Sequence, residues 1–197
     1  MAHQPGYGPP AMANPIAVIG PQYCASYPVD LTVIEKVISI VGNFVVSDVN
    51  GNIIFKVKRA MFSIRRVLFD ATGNPLVSIR QKAMSRHGRW QVYRGDSSSS
   101  RDLLFTVRKS SLLQFKTELQ VFLANNTREN VCDFKIKCSW LERSCVVYLG
   151  ESSNIIAQMD RKGILFGRNT LSVAVYPHID HAFITSLIVI LNGINED

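Results

Sequence analysis

The stretch IDHAFITSLIVILNG, residues 179–193, decides the fold. Its apolar side chains fall on nearly every side of a helix, Pro177 precedes it, and Asn192-Gly193 can end it. A helix that is apolar all round is buried, either in a protein core or in a membrane. The run from Ala182 to Leu191 is ten residues long, whereas a helix that spans a membrane needs about 20 apolar residues. We therefore predict a buried core helix and no transmembrane span.

Upstream of this helix the sequence alternates between apolar and polar residues. In one example, Phe55 and Val57 alternate with Lys56 and Lys58. A period of two is typical of strands with one buried face. About a dozen short strands are predicted in this way, at Val29–Val33, Phe44–Asp48, Ile53–Lys58, Arg66–Asp70, Val77–Arg80, Trp90–Tyr93, Leu103–Arg108, Phe115–Leu123, Cys132–Cys138, Cys145–Tyr148, Ile155–Asp160 and Leu171–Tyr176.

Two turns of the pattern D-x-x-G-N join consecutive strands, at Asp48–Asn52 and Asp70–Asn74. Gly supplies the positive φ of a tight hairpin, and the Asp or Asn side chain caps the turn. Both stretches lack the further carboxylates and the distal Glu of a calcium loop. They therefore indicate an antiparallel arrangement rather than a metal site.

One-faced strands and an all-apolar helix can bury each other. If the sheet closes, its inner faces surround the helix and no strand edge is left exposed. We predict a mostly β (α+β) fold, a closed antiparallel barrel of about twelve strands around the buried C-terminal helix. A sandwich packed beside a helix would satisfy most of the same pattern, so this alternative stays open.

The N-terminal segment differs from the rest in composition. Residues 1–22 are rich in Pro, Gly and Ala and hold too little apolar surface to offset the entropy of ordering. We expect a disordered tail at 1–22 and one barrel domain at 23–197, with its helix at about 179–193. No apolar run of a secretory signal opens the chain.

Four cysteines, Cys24, Cys132, Cys138 and Cys145, form no CxxC pair and have no His partner at zinc spacing. Free thiols in an intracellular protein fit this pattern. We expect a cytoplasmic protein, with peripheral membrane or nuclear association.

The net charge of +7 is unevenly distributed along the chain. Residues 44–110 hold thirteen cations and four anions, while the segments on either side each carry one net negative charge. Such a block indicates a polyanionic partner, although a solvated surface that keeps the protein soluble would look the same.

Convergent Arg and Lys suit phosphate groups, because Arg offers a planar donor fork and Lys a mobile charge. Five cations of the basic block fall on the predicted outward faces of their strands: Lys56, Lys58, Arg80, Lys82 and Arg108. Five others lie near strand ends or in loops: Arg59, Arg65, Arg66, Arg86 and Arg89. The predicted binding residues for a lipid headgroup are Lys56, Lys58, Arg59, Arg80, Lys82 and Arg108.

Motifs for enzyme chemistry do not occur: there is no GxSxG elbow, P-loop, dinucleotide glycine fingerprint or HExxH. His178 and His181 lie three residues apart, but two ligands without a third make a weak metal site. We predict no catalytic residues, no metal and no cofactor. Nucleic acid is disfavoured, because a groove-binding helix and a platform of stacking aromatics are not evident.

Several stretches resemble the plant LURP-one-related family, which belongs with the Tubby-like and phospholipid-scramblase-like barrels. The resemblance covers nearly everything after the tail. It is carried by Tyr27-Pro-Val-Asp-Leu-Thr-Val33, Phe44-Val-Val-Ser-Asp48 with Gly51, Val67-Leu-Phe-Asp70 with Gly73 and Pro75-Leu76, Trp90-Gln-Val-Tyr-Arg-Gly95, Leu119-Gln-Val-Phe-Leu123, and, in the helix, Asp180, Ala182-Phe183 and Leu187-Ile-Val-Ile-Leu191.

This resemblance implies a twelve-strand barrel threaded by a C-terminal helix, in a plant family tied to basal defence. Tubby-like relatives hold phosphoinositide headgroups in a cationic groove on the barrel wall. The expected function is a non-enzymatic Tubby-like domain that binds anionic phospholipid headgroups as a membrane-tethered regulator. We expect a monomer. A protein-interaction scaffold without a lipid ligand is the alternative function, and a nucleic-acid-binding transcription regulator is the third.

Overall fold

The structure is a computed structural model, and it describes residues 14–36, 43–59, 65–82, 88–113, 116–139, 143–165 and 168–195. Within these residues the chain forms twelve strands followed by one α-helix, α1, at His181–Asn195. The strands are β1 Val29–Lys36, β2 Asn43–Ser47, β3 Ile53–Arg59, β4 Arg66–Asp70, β5 Pro75–Gln81, β6 Trp90–Arg94, β7 Leu103–Leu113, β8 Lys116–Leu123, β9 Phe134–Ser139, β10 Ser144–Leu149, β11 Ile155–Leu165 and β12 Arg168–Val175.

The sheet closes on itself. Each strand pairs antiparallel with the next strand along the chain, and β1 pairs antiparallel with β12, with Val29 opposite Val175. The predicted closed barrel is therefore confirmed, and the sandwich alternative is excluded. The turns at Asp48 and Asp70 are hairpins in which the Asp side chain accepts the backbone N–H of Asn52 and of Asn74, each at 2.8 Å.

Helix α1 fills the barrel. About eight strands enclose an interior that their own side chains fill, so twelve strands leave room for a further element. Phe183, Ile184, Leu187 and Ile190 of α1 are all fully buried. The helix occupies residues 181–195, two residues further along the chain than predicted, because Asp180 is its N-cap and accepts the Phe183 N–H at 2.9 Å.

The barrel has two distinct ends. Odd-numbered strands run toward one end and even-numbered strands toward the other, because neighbours are antiparallel. Helix α1 begins after β12 ends, and its Gly193 packs against Arg66 and Trp90, the first residues of β4 and β6. We call the two ends the helix-start end and the helix-stop end.

Residues 14–24 lie against the helix-start end, which corrects the predicted disordered tail for residues 14–22. Oδ2 of buried Asp180 accepts the backbone N–H groups of Val18, Ile19 and Gly20 at 3.1, 2.7 and 3.0 Å. Ile19 is itself buried in the core. Ordering is favourable here because a buried carboxylate needs these donors. Residues 1–13 lie outside the described residues.

The cysteines also differ in part from the prediction of free thiols. Cys138 of β9 and Cys145 of β10 face each other across the strand pair, with Cα atoms 4.1 Å apart, and are joined by a disulfide. Cys24 and Cys132 are free. Burial raises the pKa of both free thiols to about 11, so neither favours the reactive thiolate form.

Candidate anion-binding surface

The strand alternation places most of the predicted binding residues on the outer wall. Phe55 and Val57 of β3 are buried, so Lys56 and Lys58 between and beyond them face outward. Arg80 follows buried Ile79 in the same way, and Arg108 follows buried Val107. Lys82 comes directly after β5 and is exposed.

Register brings three of these residues together with two others. Arg80 and Arg65 lie side by side, and the pKa of Arg65 is lowered by burial and by the Arg80 guanidinium. The Lys82 N–H donates to the Arg89 carbonyl at 2.7 Å. Arg89 precedes Trp90, which pairs with Val107, so Arg89 neighbours Arg108. We call Arg65, Arg80, Lys82, Arg89 and Arg108 the cationic cluster; it lies on the wall from β4 to β7.

A carboxylate already occupies part of this cluster. Arg89 donates to Glu129 through both terminal nitrogens, at 2.6 and 2.7 Å. Arg108 Nη1 lies 3.5 Å from Oε2 of the same carboxylate, and the Thr106 hydroxyl donates to Oε1 at 3.4 Å. These contacts, the Arg89 hydrogen bond foremost, lower the pKa of Glu129. The wall therefore holds one carboxylate, that of Glu129, between two arginines.

The loop that carries Glu129 joins β8 to β9 and folds back over the wall. Glu129 itself has a left-handed φ of 49°, and its N–H donates to the Asn126 side chain at 3.3 Å. A second acid folds back in a similar way: Asp96, in the connection from β6 to β7, pairs with Arg65. Both ends of the cationic cluster thus carry an intramolecular counter-ion.

Between these two acids the cluster is less satisfied. The Nε atom of Arg80 is buried and has no hydrogen-bond partner among the described residues, which is unusual for a buried donor. Arg108 is held rigidly, since Gln120 Oε1 accepts from its Nε and Nη2 at 3.1 Å and its guanidinium lies 4.6 Å from the Phe122 ring centre.

The other three predicted residues lie elsewhere. Lys58 lies over the Phe69 ring at 5.3 Å, and Lys56 donates to the Ala71 carbonyl at 3.5 Å. Arg59 has the parity of the inward-facing residues of β3. It lies opposite Arg66 in the β3–β4 strand register, at the helix-stop end of the barrel. The six predicted residues therefore do not form one site.

Sequence reasoning left out Arg65, Arg89 and Glu129 from the predicted set. The two arginines stand just outside strands, where alternation gives no direction. Glu129 lies in a polar connection of ten residues, 124–133, and no periodic pattern marks a loop that folds back. The sequence held one signal for this site: Arg89 is a charged residue that directly precedes Trp90, the first residue of a predicted strand.

The histidines do not point to metal chemistry. His181 lies between the rings of Tyr23 and Phe55, with ring centres 5.6 and 5.5 Å away. Burial lowers its pKa, more than Asp180 raises it. Within the described part of the chain, three or more His, Cys, Asp or Glu side chains nowhere gather as metal ligands. None of the described helices combines the length and apolarity that crossing a membrane requires.

Known proteins are similar to this chain over nearly its whole length. The family model described as LURP-one-related matches residues 29–192. The chain belongs to the LURP-one-related family. Protein LURP-one-related 15 of Arabidopsis thaliana is 51% identical over 206 residues, which cover 100% of this chain and 95% of that protein. Protein LURP1 of the same plant is 46% identical over 192 residues, covering 94% of this chain and 93% of that protein.

A solved structure is also similar to this chain. The X-ray structure of a protein from Arabidopsis thaliana is similar to this LURP-one-related barrel with a TM-score of 0.74 and 48% sequence identity, covering 91% of this chain and 98% of that one. The resemblance inferred from the sequence motifs is thus confirmed at the level of family and fold.

Proposed function

We propose that this LURP-one-related barrel is a non-enzymatic binding module that takes the phosphate groups of an anionic phospholipid headgroup on its cationic cluster. The observation that supports the proposal is the Glu129 carboxylate held by Arg89, Arg108 and Thr106. A phosphate offers the same arginines more charge and more acceptor oxygens than a carboxylate does.

The neighbouring residues extend this site. Lys82 is exposed beside Arg89, and Arg80 stands between the two acid-paired ends of the cluster. A headgroup with several phosphates could therefore displace Glu129 from one arginine pair while engaging Arg80 and Lys82. The proposed role is that of a Tubby-like, membrane-tethered regulator in plant defence, acting at the cytoplasmic face of a membrane.

The test is binding of inositol trisphosphate, measured by titration calorimetry at physiological salt. Arg80→Glu with Lys82→Glu should abolish binding, because the two reversals place negative charge at the centre of the cluster. Lys56→Glu with Lys58→Glu makes the same change in net charge on β3, outside the cluster, and should weaken binding by no more than about three-fold through screened, long-range interactions.

Two outcomes would overturn the proposal. In the first, the wild type would not bind inositol trisphosphate at any salt concentration. In the second, the variant with Lys56→Glu and Lys58→Glu would lose as much affinity as the variant with Arg80→Glu and Lys82→Glu. Circular dichroism and thermal melting of each variant are the controls for an intact fold, and a variant counts only if both match the wild type.

A protein-interaction scaffold remains the second candidate because of apolar residues at the helix-start end. Tyr27, Val49 and Ile53 are 66, 75 and 44% exposed, and they precede or join β1, β2 and β3, which are adjacent. Their substitution by Ser should leave inositol trisphosphate binding unchanged while abolishing capture of a protein partner, if the scaffold reading holds.

A further inference from the structure

Part of the outer wall from β5 to β8 is buried although it faces away from the core. Four residues of consecutive strands alternate with core residues and are nevertheless buried: Ser78, Tyr93, Thr106 and Phe122. Two connections fold back over this part of the wall, residues 95–102 and residues 124–133. The second carries Glu129, and we call the first the serine loop, because it contains Ser97–Ser100.

The serine loop is fixed to the wall at two successive residues. Arg65 pairs with the Asp96 carboxylate and donates from Nη2 to the Asp96 carbonyl at 3.2 Å. The next carbonyl, that of Ser97, accepts the hydroxyl of Ser78 at 2.5 Å. The nitrogen of Ser98 is bonded to the carbon of that same carbonyl group, so it lies within about 5 Å of the Ser78 hydroxyl. Ser98 therefore begins directly over β5.

The nearest cation of β5 has room for a phosphate oxygen. Arg80 is the next outward-facing residue after Ser78, with its Cα atom about 7 Å away. Its Nε atom is buried and unpartnered within the described part of the chain, whereas neighbouring Arg65 is already paired with Asp96. A phosphate satisfies such a donor, and the hydrogen bond between guanidinium and phosphate is among the strongest in proteins.

The four serines of the loop differ in how far their hydroxyls are engaged. Ser97 Oγ donates to Asp102 Oδ2 at 2.5 Å and accepts the Ser99 N–H at 3.0 Å. The Ser99 hydroxyl caps the short turn that follows. Ser98 and Ser100 are exposed, and among the described residues their hydroxyls have no hydrogen-bond partner. Of these two, Ser98 directly follows the contact with the wall.

Two arginines flank Ser98. Arg94 lies four residues before it and Arg101 three residues after it, and both are exposed. Protein kinases select their substrates by such charge patterns. We propose that Ser98 is a phosphorylation site and that its phosphate binds Arg80, in the place that a headgroup phosphate would take.

The modification is a phosphoryl transfer from ATP by a protein serine kinase that accepts basic substrates. The Ser98 hydroxyl oxygen attacks the γ-phosphorus, the bond from that phosphorus to the oxygen bridging it to the β-phosphorus breaks, and ADP leaves. The hydroxyl proton passes to the carboxylate base of the kinase. The phosphate brings about two negative charges to the wall. The contact with Arg80 stands on its own, while the effect on headgroup binding rests on the proposed function.

Phosphorus NMR of the full chain with phosphoserine incorporated at Ser98 tests the contact. A free phosphoserine has a second pKa of about 6. Binding to Arg80 should lower this pKa to about 5 or below, although the carboxylates of Asp96 and Asp102 oppose the change. Arg80→Gln should bring the pKa back to about 6 or above. The matched control carries phosphoserine at Ser153, an exposed residue between β10 and β11, where Arg80→Gln should have no effect.

Titration calorimetry with inositol trisphosphate tests the consequence. Phosphoserine at Ser98 should weaken binding at least about ten-fold, the loss of one charged contact. Phosphoserine at Ser153 should weaken it by no more than about two-fold through screened interactions. Equal weakening in both proteins would overturn the competition, because net charge alone would then explain it.

A phosphate at Ser98 whose pKa does not respond to Arg80→Gln would overturn the contact itself. If the unmodified chain does not bind inositol trisphosphate but the pKa still depends on Arg80, the headgroup site fails and the phosphate contact stands. Mass spectrometry after incubation of the folded chain with ATP and Arabidopsis leaf extract tests the modification. Phosphate is expected on Ser98, and the same peptide of Ser98→Ala should carry none. A wild-type chain without phosphate at Ser98 would overturn the assignment of this site.

Discussion

Asp180 satisfies more backbone donors than any single motif in the sequence suggests. One carboxylate oxygen caps α1, and the other gathers three N–H groups of residues 18–20. The sequence showed its place at the helix start but not its three remote donors, which come from about 160 residues away in the chain. Contacts of that separation leave no local pattern, and for this reason residues 14–22 were predicted to be disordered.

Asp180→Asn should lower the free energy of unfolding by about 2–4 kcal/mol, because an amide nitrogen would replace an oxygen before three buried donors. Urea unfolding followed by fluorescence measures this. Asp30→Asn, at an exposed position of β1, is the control and should change stability by less than about 0.5 kcal/mol. A comparable loss in both variants would contradict the role given to Asp180.

Glu129 competes with any anion for Arg89 and Arg108. Glu129→Gln keeps the shape of the side chain and removes its charge, so it should tighten inositol trisphosphate binding by about five- to ten-fold, the worth of one charged contact. Titration calorimetry measures the change, and Glu151→Gln, which removes a carboxylate paired with Lys135, is the control. Weaker binding by Glu129→Gln would mean that the carboxylate organises the arginines instead of blocking them.

At the scale of elements, α1 and the strands that contact its last turn fit closely. Gly→Ala substitution inside a helix usually stabilises it by about 1 kcal/mol. At Gly193 a Cβ atom would stand 2.6 Å from Trp90 Cη2 and 2.9 Å from Trp90 Cζ2, and this ring is buried and cannot move away easily.

Gly193→Ala should therefore destabilise the protein by about 1–3 kcal/mol, the typical cost of overpacking a core. Thermal and urea unfolding of the variant give the sign directly. Gly193→Ala should destabilise the Trp90→Leu variant less than it destabilises the wild type, because the clash with the ring has gone and only the contact with the end of the Arg66 side chain remains. A stabilised single variant would show that the packing of α1 against β6 is looser than described.

The strands and the helix could be predicted because each leaves a period in the sequence, as Phe55 and Val57 do in β3 and Phe183 and Leu187 do in α1. The candidate site could not be predicted, because two of its acids lie in connections between strands, where the sequence has no such period. Glu129 and Asp96 belong to polar loops that fold back over the wall, and their contacts with Arg89 and Arg65 follow from tertiary packing. Lys56 and Lys58 face outward in the strand alternation, as Arg80 does. Alternation does not show, however, how far apart around the barrel two outward-facing residues lie.

At the scale of the whole molecule, sequence position did not show which charged residues share one end of the barrel. Along the chain, the positive excess lies at residues 44–110, which suggested a patch on one wall. In an antiparallel barrel, however, the end of one strand and the start of the next share one end of the molecule. Cations at the end of β11 and the start of β12 thus join those of β3 and β4, although they are about 100 residues apart in the sequence.

The closed barrel also depends on α1 as its filling. Phe183 packs against one side of the barrel wall, with its ring centre 5.2 Å from that of Phe105 in β7 and 4.8 Å from that of Phe134 in β9, the two strands that flank β8. A barrel of hydrogen-bonded strands cannot contract around a missing side chain without breaking its ladder, so truncation there should leave most of its volume as a cavity.

We expect Phe183→Ala to lower the free energy of unfolding by about 3–5 kcal/mol and to lower the unfolding midpoint in urea with an unchanged slope. Tyr27→Ala removes an aromatic ring that is 66% exposed and should cost less than about 0.5 kcal/mol. If α1 instead left the barrel to insert into membranes, Phe183→Ala would weaken vesicle binding and barely change stability in solution. Loss of stability with retained vesicle binding is the result that a structural core helix requires.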